Sequence, residues 1–268
     1  MSRRAALLHE MGIAPIWKLR SKETPVEVPV RGWIPLKAAV SGCTKCGLHK
    51  TRAQTVFGVG DENADWMLIG EAPGAEEDRL GDPFVGQAGK LLDNMLAAIG
   101  LTRRKNVYIA NVLKCRPPGN RNPTPEEVAQ CSPHLLQQIE LIKPKLIVAM
   151  GRFAAQTLLE TGASIASLRG TVHRYAGLPL IVTYHPAYLL RQIERVKPRL
   201  ILAMGRFAAQ TLLDTDASIA SLRGKVHRYA GVPLIVTYHP AYLLRTLPDK
   251  AKAWADLVFA RKTMAALK

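Results

Sequence analysis

Four cysteines are spaced in a way that could do chemistry. They form a C-x2-C pair, a gap of 68 residues and then a C-x15-C pair: Cys43, Cys46, Cys115 and Cys131. Disulfide pairing is unusual in a cytosolic chain, and the second pair is wider than zinc sites normally show. Four thiolates from two distant segments can hold a [4Fe–4S] cluster, whose ligand spacing is looser. The pattern therefore favours one structural [4Fe–4S] cluster, with zinc and unligated thiols as the alternatives.

Polar residues also follow apolar, strand-like runs. GEAPG closes the run that starts at Trp66, Asn111 lies near the end of a second run, and HPAYLLR starts at His185 after a third. In parallel sheets the ligand site lies beyond the carboxyl ends of the strands, so these segments should converge there. Each signal has an ordinary alternative, because Asn111 could cap a turn and a His-Pro pair often only makes one.

The elements that must position these residues alternate between strands and helices. WMLIGEAPG and NVYIANVLKC read as buried strands, and GKLLDNMLAAIG between them carries one apolar helical stripe. Thr124 followed by Pro and two Glu residues is a helix start. This alternation predicts a layered α/β fold with a mostly parallel sheet.

A tandem repeat occupies much of the C-terminal half. Residues 138–191 recur at 192–245 without a gap, and 46 of the 54 positions are identical. Each copy reads as strand, helix, strand and ends in HPAYLLR. Two copies do not make a solenoid, which usually needs three or more. A segmental duplication inside one domain is the simpler interpretation.

The charge balance indicates a protein that binds a polyanion. The chain has 268 residues and a formal net charge of +16, from 37 Lys+Arg against 21 Asp+Glu. Residues 41–100 contribute −4, so a locally acidic segment lies within a basic protein. This balance is typical of a nucleic-acid binder whose local site has different chemistry, although a basic protein without that role is the alternative. We find no apolar run near 20 residues, and we expect a cytoplasmic protein.

Taken together, the motifs resemble those of family 4 uracil-DNA glycosylases, the iron–sulfur class. The similar segments are GEAPGAEED, PFVGQAGKLL, IANVLKCRPPGNRNPTPEE, the cysteine pattern and HPAYLLR. The resemblance covers roughly residues 40–191 and resumes through the second copy and the C-terminal tail. It implies a three-layer α/β/α fold with a central, mostly parallel four-stranded sheet, to which the repeat in this chain adds a duplicated strand–helix–strand unit. It also implies one [4Fe–4S] cluster and excision of uracil from DNA.

The resemblance assigns roles to individual residues. A flipped base needs an aromatic face, an amide that reads its edge and a donor for the charge that grows on the ring. By resemblance these are Phe84, Asn111 and the histidine of HPAYLLR. Phe84 read alone could equally be a core residue. The catalytic candidates are Glu71 and His185, with His239 as the alternative copy, and the substrate-binding candidates are Glu71, Ala72, Pro73, Glu77, Phe84, Asn111 and His185.

DNA contacts are expected from the rest of HPAYLLR. Leu189 or Leu190 could wedge into the base stack, and Arg191 could contact phosphate. Only one histidine can complete a single pocket. His185 is favoured because its copy follows the upstream strands at a family-like spacing, whereas His239 precedes a C-terminal helix similar to that of the family.

The sequence thus predicts a monofunctional uracil-DNA glycosylase that leaves an abasic site. The rival is a non-catalytic iron–sulfur nucleic-acid-binding protein disabled by the duplication. We expect residues 1–40 to be a basic N-terminal extension and residues 41–268 to be the glycosylase domain. The expected partner is DNA containing uracil, and the expected state is a monomer, with a swapped dimer possible through the duplicated unit.

Overall fold

The computed structural model describes residues 32–267 of the chain. Residues 1–31 of the expected N-terminal extension lie outside the described residues. The strands are β1 (Val59–Gly60), β2 (Trp66–Gly70), β3 (Val107–Asn111), β4 (Leu146–Met150), β5 (His173–Tyr175), β6 (Leu178–Thr183), β7 (Ile201–Met204), β8 (His227–Tyr229) and β9 (Val232–Thr237).

The helices alternate with these strands. They are α1 (Trp33–Ser41), α2 (Ala75–Leu80), α3 (Gln87–Ala98), α4 (Pro125–Ile142), α5 (Arg152–Leu159), α6 (Ile165–Leu168), α7 (Pro186–Val196), α8 (Arg206–Leu213), α9 (Ile219–Leu222), α10 (Pro240–Leu243) and α11 (Asp249–Ala266). Two short 3-10 helices span Gly47–Lys50 and Pro118–Asn120. No helix within residues 32–267 is long and apolar enough to cross a membrane.

The larger sheet has six strands in the order β1-β3-β2-β4-β6-β5. Its four central strands, β3, β2, β4 and β6, are parallel, as the sequence predicts. The structure adds a short antiparallel strand at each edge, β1 against β3 and β5 against β6. The α/β fold class is therefore confirmed, with two more strands than expected.

Helices cover both faces of this sheet, which makes the three layers. Alternate residues of the strands divide between two cores, as period-2 side-chain geometry requires. On one face Ile69 and Ile147 pack with Leu135 of α4 and with Leu158 of α5. On the other face Leu68 and its neighbours pack with Leu92 and Leu96 of α3.

The second repeat copy forms a separate sheet. Strands β7, β9 and β8 pair in that order, with β7 parallel and β8 antiparallel to β9. This reproduces the local pairing of β4, β6 and β5 in the first copy. Helix α7 joins the two units, because it contains the end of one copy and the start of the next. The second copy therefore packs as an appendage and does not extend the main sheet.

Polar contacts attach the appendage to helix α3. The Asn94 side-chain amide donates to Thr211 Oγ1 at 2.6 Å, and Lys90 pairs with Asp214 at 2.5 Å. The C-terminal helix α11 packs on β9 of the second copy, where Asp256 pairs with Arg223 at 2.6 Å. Helix α11 thus stabilises the appendage.

Helix α1 spans the boundary expected at residue 40. Its Leu36 and Val40 are buried, and the ring of Trp33 lies 5.4 Å from that of Tyr108 and 6.0 Å from that of Phe57. Burial on this scale makes α1 part of the packed unit that contains the main sheet.

Candidate active site

A cleft of about 540 Å³ opens at the carboxyl ends of the parallel strands. Loops after β2, β3, β4 and β6 all contribute to it, as the switch-point rule for such sheets predicts. Its lining includes Glu71, Ala72, Pro73, Glu77, Phe84, Asn111, Arg152, Tyr184, His185, Tyr188 and Arg191. The structure therefore brings together all the predicted substrate-binding residues.

Phe84 and His185 form a stacked pair in this cleft. Their ring centroids are 5.2 Å apart with an interplanar angle of 27°. Phe84 is buried and has a φ of 55°, a left-handed conformation that non-glycine residues rarely adopt. Arg103 stabilises this turn, because its guanidinium donates to the Phe84 carbonyl oxygen at 2.8 Å and pairs with Asp93 at 2.7 Å. The arrangement holds the Phe84 ring beside His185 in the lining of the cleft.

Asn111 ends strand β3 and is only 2% exposed. Its Oδ1 atom has no hydrogen-bond partner within the described residues. A buried amide oxygen without a partner costs free energy, so it marks a place where a ligand donor could bind. Gly70 makes the close approach possible, since a Cβ there would lie 2.8 Å from the Phe84 ring and would collide with Asn111 Oδ1.

The hydrogen bonding of His185 selects its tautomer. Its Nδ1 accepts the backbone N–H of Ala187 at 3.2 Å, so the proton of the neutral ring resides on Nε2. Burial, assisted by the positive charge of Arg191, lowers the pKa of His185 to about 4. At neutral pH the ring is therefore an uncharged hydrogen-bond donor.

Glu71 follows strand β2 and is the acidic group of the cleft. Burial raises its pKa to about 7, and the positive charges of Arg152 and Arg191 limit that rise. A carboxyl with a pKa near the operating pH suits general acid–base work. Ala72 lies beside it in the lining, and so does Pro73. Because Pro73 has no backbone N–H, only Glu71 and Ala72 of this segment can donate main-chain hydrogen bonds.

Glu77 lines the cleft, but its carboxylate is committed to backbone groups. It accepts the N–H groups of Gly74, Val85 and Gly86 at 3.1, 2.9 and 3.2 Å. These bonds tie the loop after β2 to the loop that carries Phe84. Glu77 therefore has the contacts of a scaffold residue.

Of the expected DNA-contact residues, one lines the cleft and two lie outside its lining. Arg191 is exposed and lines the cleft. Leu189 is 39% exposed, and neither it nor Leu190 is among the lining residues. Both leucines lie on α7, whose first turns border the cleft through Tyr188.

His239 lies outside the cleft. It is exposed, precedes helix α10 and belongs to the second sheet. Its local geometry copies that of His185, since Nδ1 accepts the N–H of Ala241 at 3.1 Å. Within the described residues, only the His185 copy stacks against Phe84.

The four cysteines line a single recess, together with Arg52 and Lys114. No group of three or more His, Cys, Asp or Glu side chains in residues 32–267 is close enough to hold one metal ion. Two sulfurs accept hydrogen bonds: Arg52 donates to Cys115 at 3.1 Å, and the Lys114 backbone N–H donates to Cys131 at 3.2 Å. Such donors stabilise thiolate ligands, so the recess fits a thiolate-bound cluster.

Comparison with known proteins identifies the family. Residues 57–192 and the overlapping residues 187–258 match the uracil DNA glycosylase superfamily. The chain belongs to the uracil DNA glycosylase superfamily.

Relatives within the superfamily match a little over half of the chain. A type-4 uracil-DNA glycosylase of Archaeoglobus fulgidus is 50% identical over 159 residues, which is 56% of this chain and 79% of the relative. A type-4 enzyme of Thermotoga maritima is 46% identical over 165 residues, 61% and 85% of the two chains. A type-5 enzyme of Thermus thermophilus is 31% identical over 173 residues, 56% and 77%.

Some residues that line the cleft are not among the site residues predicted from the sequence. Arg152 and Phe153 follow the glycine that ends β4, and Tyr184 and Tyr188 flank His185. Arg152 could have been predicted, because it lies at the carboxyl end of a parallel strand, where ligand sites of such sheets form. Arg103, which braces the loop of Phe84, precedes β3 and lies outside the cleft lining, so that rule does not apply to it.

Proposed function

We propose that this protein is a type-4 uracil-DNA glycosylase that hydrolyses the N-glycosidic bond of uracil in DNA and leaves an abasic site. The observation that carries the proposal is the cleft in which Phe84, Asn111 and His185 converge. An enzyme acting on a base must flip it out of the stack and hold it in such a pocket. The superfamily match and the type-4 relatives support the same assignment.

Uracil recognition is assigned to two residues. The Phe84 ring stacks on the flipped base, and the Asn111 amide pairs with its Watson–Crick edge through one donor and one acceptor. Pairing would give the buried Oδ1 of Asn111 the partner that it lacks among the described residues. Thymine differs from uracil by a methyl group, so the wall of the pocket beside Phe84 must accept uracil and exclude that methyl group.

His185 stabilises the leaving group. As the bond between N1 and C1′ breaks, its electron pair moves onto the uracil ring. The neutral imidazole donates Nε2–H to O2 of that ring, which lowers the energy of the developing anion. A pKa of about 4 keeps the imidazole neutral, so it polarises O2 without a net charge of its own.

Glu71 activates the water. The water oxygen bonds to C1′, and its proton passes to the Glu71 carboxylate. The pKa of about 7 makes this carboxylate a usable base near neutral pH. The proposed enzyme is monofunctional, with no Schiff-base lyase step.

Cys43, Cys46, Cys115 and Cys131 are assigned as ligands of one [4Fe–4S] cluster. The hydrogen bonds to Cys115 and Cys131 support this assignment over unligated thiols. When bound, the cluster would supply structural cross-linking, since it would join the segment after α1 to the loop after β3 and to α4. Thiol ligands persist in a reducing compartment, which supports action in the cytoplasm.

We assign the DNA contacts and the domain organisation on the same basis. Arg191 contacts phosphate at the mouth of the cleft, and Leu189 or Leu190 on α7 enters the base stack. Residues 41–268, joined by helix α1, form the glycosylase domain with tandem copies 138–191 and 192–245, which arose by duplication, and of residues 1–40 those that precede α1 are a basic extension. The proposed state is a monomer, with a dimer swapped through the duplicated unit as the alternative.

The test uses anaerobically purified, full-length protein and a labelled duplex with one uracil. After incubation, alkali cleaves any abasic site. We expect a cut at the uracil and none in a duplex with thymine at that position. Absence of a cut from folded protein with visible iron–sulfur absorbance would overturn the proposal and would favour the non-catalytic binding protein.

A further inference from the structure

The second repeat copy presents a surface that the excision reaction does not use. We define the His239 surface by Arg206, His239, Tyr242, Leu244 and Arg245. We propose that this surface is a second, non-catalytic contact for the phosphate backbone of duplex DNA. The proposal rests on the proposed function in one respect, namely that the equivalent residues of the first copy meet DNA.

The local geometry of the two copies is the same. The rings of Tyr238 and Tyr242 stack at 5.2 Å and 19°, compared with 5.2 Å and 17° for Tyr184 and Tyr188. A Cβ on Gly205 would lie 3.0 Å from His239 Cβ, as one on Gly151 would from His185 Cβ. The loop that borders the cleft in the first copy is thus rebuilt in the second.

The surroundings of the second loop differ, and this difference removes the base pocket. The His239 surface is on the separate sheet, whereas Phe84, Asn111 and Glu71 follow or join strands of the main sheet. In the first copy, Arg152 and Arg191 act on the Glu71 carboxyl. Their counterparts in the second copy, Arg206 and Arg245, belong to the unit of the other sheet. The Glu71 carboxylate therefore does not offset their charge.

The exposure and the positive charge of the His239 surface suit the binding of a polyanion. Leu244 is 77% exposed and Tyr242 is 37% exposed. Arg206 and Arg245 are both exposed, and neither forms an ion pair with another of the residues that the structure describes. Residues 192–267 carry twelve Lys and Arg against five Asp and Glu, a net +7.

The acidic groups of this unit are largely engaged. Asp214 pairs with Lys90, Asp256 with Arg223, and Asp249 with Lys252. Asp249 also accepts the hydroxyl of Tyr242 at 2.7 Å, which orients that ring on the surface. Phosphate would therefore meet unopposed arginines beside an exposed aromatic and an exposed aliphatic side chain, a combination that contacts both backbone and groove.

The test compares matched charge removals in full-length, cluster-containing protein. The probe is a fluorescent duplex without uracil, titrated between about 50 and about 200 mM salt. Each lost phosphate contact reduces the log–log salt slope by about 0.9, so Arg206→Ala/Arg245→Ala should flatten the slope by about 1.8. The affinity gained on lowering salt over this range should then be about 12-fold smaller than in the wild type.

Two controls separate this surface from general charge and from misfolding. Arg261→Ala/Lys262→Ala removes the same charge from exposed positions of α11 and should change the slope much less. Arg206→Lys/Arg245→Lys keeps the charge and should restore the wild-type slope. An unchanged slope in the double alanine variant, or an equal change in the α11 control, would overturn the proposal. Binding of single-stranded RNA without binding of duplex DNA would also overturn it.

The outcome is independent of the excision assay. If uracil is excised and the slope does not respond, the His239 surface fails and the proposed function stands. If the slope responds and no uracil is excised, the surface binds DNA and the proposed function fails.

Discussion

Replacing Glu71 with glutamine should stabilise the protein while abolishing excision. Burial raises the pKa of Glu71 from 4.5 to about 7, so folding favours the protonated carboxyl. The corresponding stability is present below pH 4.5 and is lost as pH rises through 7. Glutamine imitates the neutral form at every pH, so Glu71→Gln keeps this stability at pH 8.

The magnitude follows from the two pKa values. The difference between 4.5 and about 7 corresponds to at most about 3 kcal/mol. Because the side chain is partly solvated, we expect about 1–2 kcal/mol. For a chain of this size that gain raises the melting temperature by roughly 2–6 °C. Excision should fall by about 10²–10⁴-fold, the contribution of a general base.

The assay measures thermal unfolding of both proteins at pH 4.5 and pH 8, at one heating rate, and single-turnover excision at pH 8. Glu140→Gln is the matched control, because Glu140 is an exposed carboxylate on α4. We expect the two melting temperatures to converge at pH 4.5 and the control to leave both quantities unchanged. Equal or lower stability of Glu71→Gln at pH 8 would refute the assignment of a raised pKa to this carboxyl.

Three further predictions concern the support of the pocket. Gly70→Ala should reduce excision at least tenfold with the fold retained, because its Cβ meets Phe84 and Asn111; near-normal activity would contradict the close packing there. Arg103→Ala should weaken excision through the loop of Phe84 and should lower quenching of a fluorescent base analogue in the flipped position, whereas an unchanged signal would remove its positioning role. Cys115→Ala should abolish the iron–sulfur absorbance and lower the melting temperature, and retention of the full absorbance would exclude that cysteine as a ligand.

The sequence predicted the main sheet because its strands are strongly patterned. The apolar runs at β2, β3, β4 and β6 are each five or six residues long and are separated by helical segments. The edge strands β1 and β5 were not predicted, since two or three residues are too short to show a period. Such strands form because a neighbouring strand offers free hydrogen-bonding groups.

The site residues were predictable where the residue type and its place after a strand indicate a chemical role. Asn111 and His185 follow strands, and the structure places both in the cleft. Glu77 shows the limit of this reasoning, because its three backbone partners lie in loops whose approach no local pattern encodes. The choice between two nearly identical copies also depends on tertiary packing, since both contain the same histidine motif.

The central claim is that one copy of the repeat completes a uracil-excising site. The most direct measurement is single-turnover excision of uracil by His185→Ala and His239→Ala, side by side with the wild type. We predict a loss of about 10²-fold or more for His185→Ala, the cost of removing a donor to the developing anion, and a rate within about twofold of wild type for His239→Ala. Loss of activity in His239→Ala with normal excision by His185→Ala would contradict the assignment.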